Sequence, residues 1–303
     1  MMRVTTSQYF RQSLRDISTL NVDANRLQTQ IATGKKLQTA SDDAAAYQRL
    51  SGLRALVADD VAYSSNISLA QGVLSQADTA LAGTETQLQR VNELIIQAAN
   101  DTLSADDRVG IATALDAIRE DLLRLANATD VRGQPLFGGA SGDVAFETQP
   151  DGSITYAGSG EAGTVPVADG VAIQTTEDGG RIFGGAGQPG VIDIFAMIAT
   201  YSAALRSGAD VQAPSATALS EVNSALDQVS AARSMVGARA YRLDLERDQV
   251  EANGLVREEL RSALEDTDVS AAITELQKTL TILQATQSSF ARLSDLSLFN
   301  YLS

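Results

Sequence analysis

All five prolines and 16 of the 23 glycines of this 303-residue chain lie between Arg132 and Ser215. A proline inside a helix removes a hydrogen bond and clashes with the preceding turn, so Pro-free stretches of this length are free to form long helices. The distribution predicts a helical arm, a loop-and-strand insert, and a second helical arm.

The first flank opens with a heptad stripe at Phe10, Ile17, Leu20, Ala24, Leu27 and Ile31, with Ser13 as its polar member. Gly34 and the basic pair Lys35-Lys36 mark a helix end, and Ser41-Asp42-Asp43 supplies an N-cap and first-turn carboxylates for the next helix. That helix runs to about Asn100. Its second half holds a 3–4 spacing at Ile67, Ala70, Leu74, Ala77, Leu81, Thr84, Leu88, Val91, Ile95 and Ala98, a coiled-coil-like seam in which alanines admit a close neighbour. Ser104 with Asp107 resembles a capping box ahead of a shorter helix marked by Ile111, Leu115, Ile118, Leu122 and Leu125. Beyond the insert, Leu219, Val222, Leu226, Val229, Val236, Ala240, Leu243 and Val250 form another seam, interrupted by Arg233 and Arg247. Residues 265–268 break the pattern and cap a last helix, whose stripe is Val269, Ile273, Leu276, Leu280, Leu283 and Phe290, with Gln287 polar. Within the insert, residues 144–146, 153–156, 164–165 and 171–173 are short β-prone runs, and Asp151-Gly152 and Asp178-Gly179-Gly180 read as turns between them. A helical patch over 192–206 closes the region. The fold class expected is mainly α with a β-rich insert (α+β), with long antiparallel helices from both termini forming coiled-coil arms. The parts are residues 1–42 with 264–303 as terminal arms, 43–131 with 216–263 as a helical rod, and 132–215 as a surface-exposed Gly/Pro-rich insert.

The terminal stripes share length and period and carry opposite charge. Residues 1–41 hold six basic and two acidic side chains, a net of +4; residues 264–303 hold two basic and five acidic, a net of −3. Such stripes suit pairing with each other. A helix of ~40 residues is ~60 Å long, however, and a lone pair of that reach leaves apolar surface uncovered. Burial within a monomeric bundle and completion by neighbouring copies both satisfy the pattern.

The chain contains no Cys, His or Trp. Disulfides, thiol nucleophiles, thiolate metal sites and imidazole chemistry are thereby excluded. A formal net charge of −15 argues against nucleic acid, whose phosphates need a Lys/Arg-rich face. The N-terminal segment lacks the apolar core of about 7–15 residues of a secretory signal, and no run approaches the ~20 apolar residues of a spanning helix. The expectation is a cytosolic chain, or one that leaves the cell by a route that cleaves nothing. Two G-x-G-x-x-G matches occur, at 158–163 and 185–190, the second between a possible strand at 181–183 and a helix. With no βαβ continuation they read as turns of the insert, not as a dinucleotide loop. The carboxylate pairs Asp42-Asp43, Asp59-Asp60, Asp106-Asp107 and Glu258-Glu259 are adjacent in sequence, so on helices they point apart and do not share a cleft. No spaced D-x-D-x-D-G calcium loop is present. No catalytic residue, cofactor or metal is assigned, and the expectation is a chain that is not an enzyme.

With the arms in view, ordered motifs along nearly the whole chain resemble the bacterial flagellin superfamily, and within it the hook–filament junction family. They are Arg3-Val-Thr-Thr6, Ile31-Ala-Thr-Gly-Lys-Lys36 with Ser41-Asp-Asp43, residues 88–100, Ile192-Asp-Ile-Phe195 to Leu205-Arg-Ser-Gly208, Val236-Gly-Ala-Arg239 with Arg242-Leu243, and Leu296-Ser-Leu-Phe-Asn-Tyr-Leu302. The last is similar to the junction family in particular, whereas Ala44 after the Asp-Asp pair is similar to flagellins. The resemblance implies a structural adaptor whose terminal helices enter the flagellar tube wall. It also implies type III export without a cleaved signal, an extracellular location at the hook–filament junction, and an outward-facing insert. The implied partners are hook-associated protein 1, flagellin, like copies in a ring, and an export chaperone on the C-terminal helix. The assembly interface expected is Phe10, Ile17, Leu20, Leu27, Ile31, Ile273, Leu276, Leu280, Leu283, Phe290, Phe299 and Tyr301. The alternative is a filament-forming flagellin, or a flagellin-like protein that binds surface glycans.

Overall fold

The computed structural model describes residues 2–302 apart from Asp101, Ser141, Gly142, Asp143, Glu161, Ala186 and Ala209, with side chains described from Gln8 to Arg292. Its elements are α1 (Met2–Thr33), α2 (Ala44–Ala98), α3 (Ala105–Ala126), β1 (Phe146–Thr148), β2 (Ile154–Tyr156), β3 (Thr164–Ala168), β4 (Val171–Gln174), α4 (Gly179–Ile182), α5 (Ile194–Arg206), α6 (Gln212–Glu265) and α7 (Val269–Leu302). The chain divides into two compact units, Met1–Ala58 with Asn253–Ser303, and Asp59–Ala252.

In the first unit α1 packs along α7. Phe10 meets Phe290 edge-on, with ring centroids 5.1 Å apart, while Lys35 just beyond the other end of α1 reaches Glu265 just before α7. The two helices are therefore antiparallel, as the sequence predicts. Gly34, at φ 72°, ends α1, because a left-handed residue breaks the helix and suits glycine alone. Lys35 and Lys36 do not serve the end of their own helix, as the sequence suggests they should. Lys35 pairs with Glu265 at 2.6 Å, and Lys36 Nζ donates to the Ala263 carbonyl at 2.7 Å. The two carboxylates that follow divide the capping work. Asp42 accepts from the Gln38 and Thr39 amides of the preceding turn, and Asp43 accepts from Ala45 and Ala46 at the start of α2.

In the second unit, α2 and α6 run antiparallel. Their polar cross-links are Gln71 to Asp244, Arg233 to Asp78 and Glu85, and Asn92 to Asn223. All ten seam positions of α2 from Ile67 to Ala98 are buried. Thr84, the polar member, has no exposed surface and donates its hydroxyl to the Ala80 carbonyl of its own helix at 2.9 Å, so its burial leaves no group unpaired. On α6 Val222, Val229, Val236, Leu243 and Val250 are buried as expected, and elsewhere the buried residue sits one earlier than the bulky one. Ala218, Ala225 and Ala232 are buried, whereas Leu219 and Leu226 flank the core half-buried. Arg233 accordingly lies beside the seam and does not interrupt it. Its guanidinium bridges Asp78 at 3.1 Å and Glu85 at 2.6 Å.

The short α3 begins with the expected capping box, in which Ser104 and Asp107 exchange side-chain and backbone hydrogen bonds. It packs on α5, where the Ser202 hydroxyl donates to Asp116 at 2.8 Å.

The insert consists of two antiparallel hairpins. The pair β1–β2 turns through Asp151-Gly152 in the register Phe146↔Tyr156, and β3–β4 turns through Asp169-Gly170 with an irregularity between Pro166 and Ala168. The segment Asp178-Gly179-Gly180, expected as a turn between strands, instead opens α4, whose N-cap is Asp178. That places Arg181 to Phe183 in a helical turn where a strand was possible. Phe137, Phe146, Phe183 and Phe195 pack edge-to-face at 5.2 to 5.6 Å in the same apolar core as the α2 and α6 seams. The insert therefore shares the core of the α2–α6 pair.

Candidate assembly interface

The chemistry of the second unit is consumed by its own folding. The Gly184-to-Gly190 loop has glycines at positive φ, but the following helix α5 is capped by Asp193, whose carboxylate accepts from the Ala196 amide at 2.9 Å. A protein carboxylate occupies the helix terminus where a bound phosphate would need free amides. A Cβ on Gly184 would lie 2.4 Å from the Asp193 Cα, so that glycine is required by close backbone packing. Glu177 is buried and paired with Arg239, which also reaches Gln174. Burial pushes the Glu177 carboxyl up, and Arg239 only partly opposes it. Asp107 is held below the usual carboxylate range by its Ser104 bonds, as a capping box requires. Among the described residues no cluster of three or more acidic side chains is arranged to hold a metal.

In the first unit the paired helices leave apolar side chains in solvent. Of the interface residues expected from the sequence, Leu27 and Leu283 are buried. Phe10, Ile17, Leu20, Ile31, Leu276 and Phe290 are half-buried. These eight form the α1–α7 seam. Ile273 and Leu280 do not join it, being 41% and 43% exposed. Their place is taken by Ala272 and Thr279, 7% and 6% exposed, one residue earlier. Small side chains at those positions let α1 approach closely, and the bulky residues are displaced to a flank. Val269 and Ile282 of α7, and Leu14 and Val22 of α1, are also exposed. Phe299 and Tyr301 belong to α7 by backbone, but their side chains lie outside those described. Along the helices the ion pairs Arg26–Asp23 and Lys278–Glu275 each stay within a single helix, whereas Lys35–Glu265 joins the two oppositely charged arms at their root.

Residues 265–268 break the helical pattern and cap the last helix, as expected, but they also hold a heavily paired carboxylate that the pattern does not announce. Glu265 is fully buried and binds Lys35, Arg54 and Arg261, each at 2.6 Å. Burial alone would raise its carboxyl, but hydrogen bonds from Lys35, Arg261 and Arg54 hold it down at about 2. The sequence signal for it is the i,i+4 spacing of Arg261 and Glu265 on α6.

Two family models match the chain, the bacterial flagellin N-terminal helical region over residues 4–141 and the bacterial flagellin C-terminal helical region over residues 219–302. The chain belongs to the flagellin family. Flagellar hook-associated protein 3 of Escherichia coli K12 is 28% identical over 98% of this flagellin-family chain and 99% of its own length. The flagellin of Listeria monocytogenes is 24% identical over 92% of this chain and 88% of its own. In fold, the chain is similar to the crystal structure of the flagellar junction protein from Legionella pneumophila, with a TM-score of 0.60 over 72% of this chain and 100% of that one, at 15% identity. The family is a structural one of the bacterial flagellum. Among the described residues, no helix is long and apolar enough to cross a membrane.

Proposed function

We propose that this chain is a non-enzymatic adaptor that joins the hook to the flagellin filament, its terminal helices interlocking with those of neighbouring subunits. The full-length likeness to hook-associated protein 3 supports the junction role. The observation that carries the assembly mechanism is the exposed apolar flank of α7 at Val269, Ile273 and Leu280, beside a seam already filled by Leu276, Leu283 and Phe290. A helix pair with one satisfied seam and one uncovered stripe is suited to lateral docking of further helices. In this reading Ile273 and Leu280 contact neighbouring subunits, and Leu27, Leu283 and the half-buried seam residues set the shape presented to them. The neighbours are hook-associated protein 1 on one side, flagellin on the other and like copies around a ring. An export chaperone holds the C-terminal helix before assembly, and export leaves no cleaved signal. The parts then correspond to terminal arms at 1–42 with 264–303, a rod at 43–131 with 216–263, and an insert at 132–215 that faces outward.

Immunogold electron microscopy of whole cells, with an antibody against residues 140–190, tests the location. A single band where hook meets filament is expected. Label along the whole filament would establish the second reading, a filament-forming flagellin, which the flagellin-like Ala44 favours.

A further inference from the structure

The α7 helix offers α1 two alternative seams that share Leu276, Leu283 and Phe290. One adds Ala272 and Thr279; the other adds Ile273 and Leu280. Burial of an isoleucine and a leucine removes more apolar surface from water than burial of an alanine and a threonine. Hydrophobic burial between the two helices therefore favours the second seam, yet the structure adopts the first, with Ala272 and Thr279 buried and Ile273 and Leu280 exposed. Close approach favours the first seam and apolar burial the second, so a contact outside the seam that sets the rotation of α7 decides between them.

That contact lies at the root of the pair. The Glu265 carboxylate, fully buried, is fixed from three directions by Lys35, Arg54 and Arg261. The backbone is stitched at the same point, where the Lys36 amide donates to the Glu265 carbonyl at 2.7 Å and the Thr267 amide donates to the Gly34 carbonyl at 2.8 Å. Lys36 Nζ holds the Ala263 carbonyl. Asp268 then accepts from the Ala271 amide and starts α7 in a defined direction. Only three residues, 266–268, separate Glu265 from Val269, so a rotation fixed at Glu265 passes into α7 with little slack.

We propose that Glu265 and its three cations act as a register clasp, selecting the α7 rotation that buries Ala272 and Thr279 and keeps Ile273 and Leu280 on the open flank. A buried polar or ionic group that specifies one helix alignment is a known use of such groups. Glu265 is thus a positioning residue. The inference concerns the arms of a single chain and stands whether or not the junction role is correct.

The chain contains no cysteine, so single thiols report cleanly on each position. Full-length Ala272→Cys, Ile273→Cys, Thr279→Cys and Leu280→Cys variants are labelled with a maleimide in an osmolyte such as trimethylamine N-oxide, which favours the paired arms. In the parent background, thiols at 273 and 280 are expected to react about tenfold faster than those at 272 and 279. Adding Glu265→Gln should bring that ratio to about one or below it, while helix content by circular dichroism stays near the parent's. Arg54→Gln, which removes one of the three cations, is a milder second variant and should lower the ratio partway. A ratio unchanged in both variants overturns the proposal. Fast labelling at all four positions, in the parent or in both variants, also overturns it, because Glu265 would then supply no choice of seam.

Discussion

Charging the two faces of α7 separately should divide folding from assembly. Leu283 is 9% exposed, so Leu283→Asp forfeits nearly all of the roughly 1.5–3 kcal/mol that a buried leucine contributes. It also places a carboxylate against α1, at a desolvation cost of at least about 2 kcal/mol. With Leu276→Asp beside it, the penalty approaches about 6 kcal/mol, enough to separate two helices held by one seam. Ile273 and Leu280 already keep about two-fifths of their surface in water. Ile273→Asp with Leu280→Asp should therefore cost the free chain only about 2 kcal/mol. The assay pairs limited proteolysis of the arms in the purified full chain, in the same osmolyte, with electron microscopy of flagella from cells that carry only the variant. Leu276→Asp with Leu283→Asp should fail both tests. Ile273→Asp with Leu280→Asp should keep protease-resistant arms and lose incorporation. Normal flagella from that second variant would remove the open flank from the interface and refute the assembly mechanism.

Other expectations concern single sites. Glu265 has a folded pKa of about 2 against an ordinary 4.5, so its stabilisation is complete above pH 4.5 and lost as pH falls towards 2. Glu265→Gln should therefore flatten the acid limb of the stability curve in that window by about 3 kcal/mol, read from urea midpoints against pH. Glu177 has the opposite sign. Its raised folded pKa makes stability fall as pH rises above 4.5, and Glu177→Gln should remove that slope. Thr84→Val should be neutral or stabilise by up to about 1 kcal/mol in thermal unfolding, because the hydroxyl it removes bonds only to its own helix. Gly184→Ala should destabilise by about 2 kcal/mol or more, since its φ of 88° and its 2.4 Å approach to the Asp193 Cα both exclude a side chain.

Helices, caps and the antiparallel arms were legible in the sequence because each rests on local chemistry. Proline exclusion marks the long helices, Ser104 with Asp107 announces a capping box, and the break at Gly34 follows from its left-handed backbone. Of the cation triad on Glu265, Arg261 was legible as an i,i+4 partner on the same helix, but Lys35 and Arg54 were not, since they reach it only once distant segments have packed. Nor was the turn at Asp178, whose choice between strand link and helix cap depends on packing around Phe137 and Phe183.

Most expected seam positions are buried, Val222, Val229, Val236, Leu243 and Val250 on α6 among them, and the exceptions share one pattern that explains the open flank. Periodicity counts the largest apolar residues, and so favours Leu219 and Leu226 on α6 and Ile273 and Leu280 on α7. At these positions the buried residue lies one earlier, at Ala218 and Ala225, and at Ala272 and Thr279. Helices in close contact need small residues at the line of closest approach, and their bulky neighbours then fall to one side. On α6 that side is covered, and Leu219 and Leu226 pack against the core. On α7 the same displacement leaves Ile273 and Leu280 in solvent. The two helices thus obey one packing rule and differ in whether the chain itself covers the flank. On α7 the flank left open is the surface through which the proposed adaptor would meet another subunit, which is why the displaced residues, more than the seam, carry the prediction about assembly.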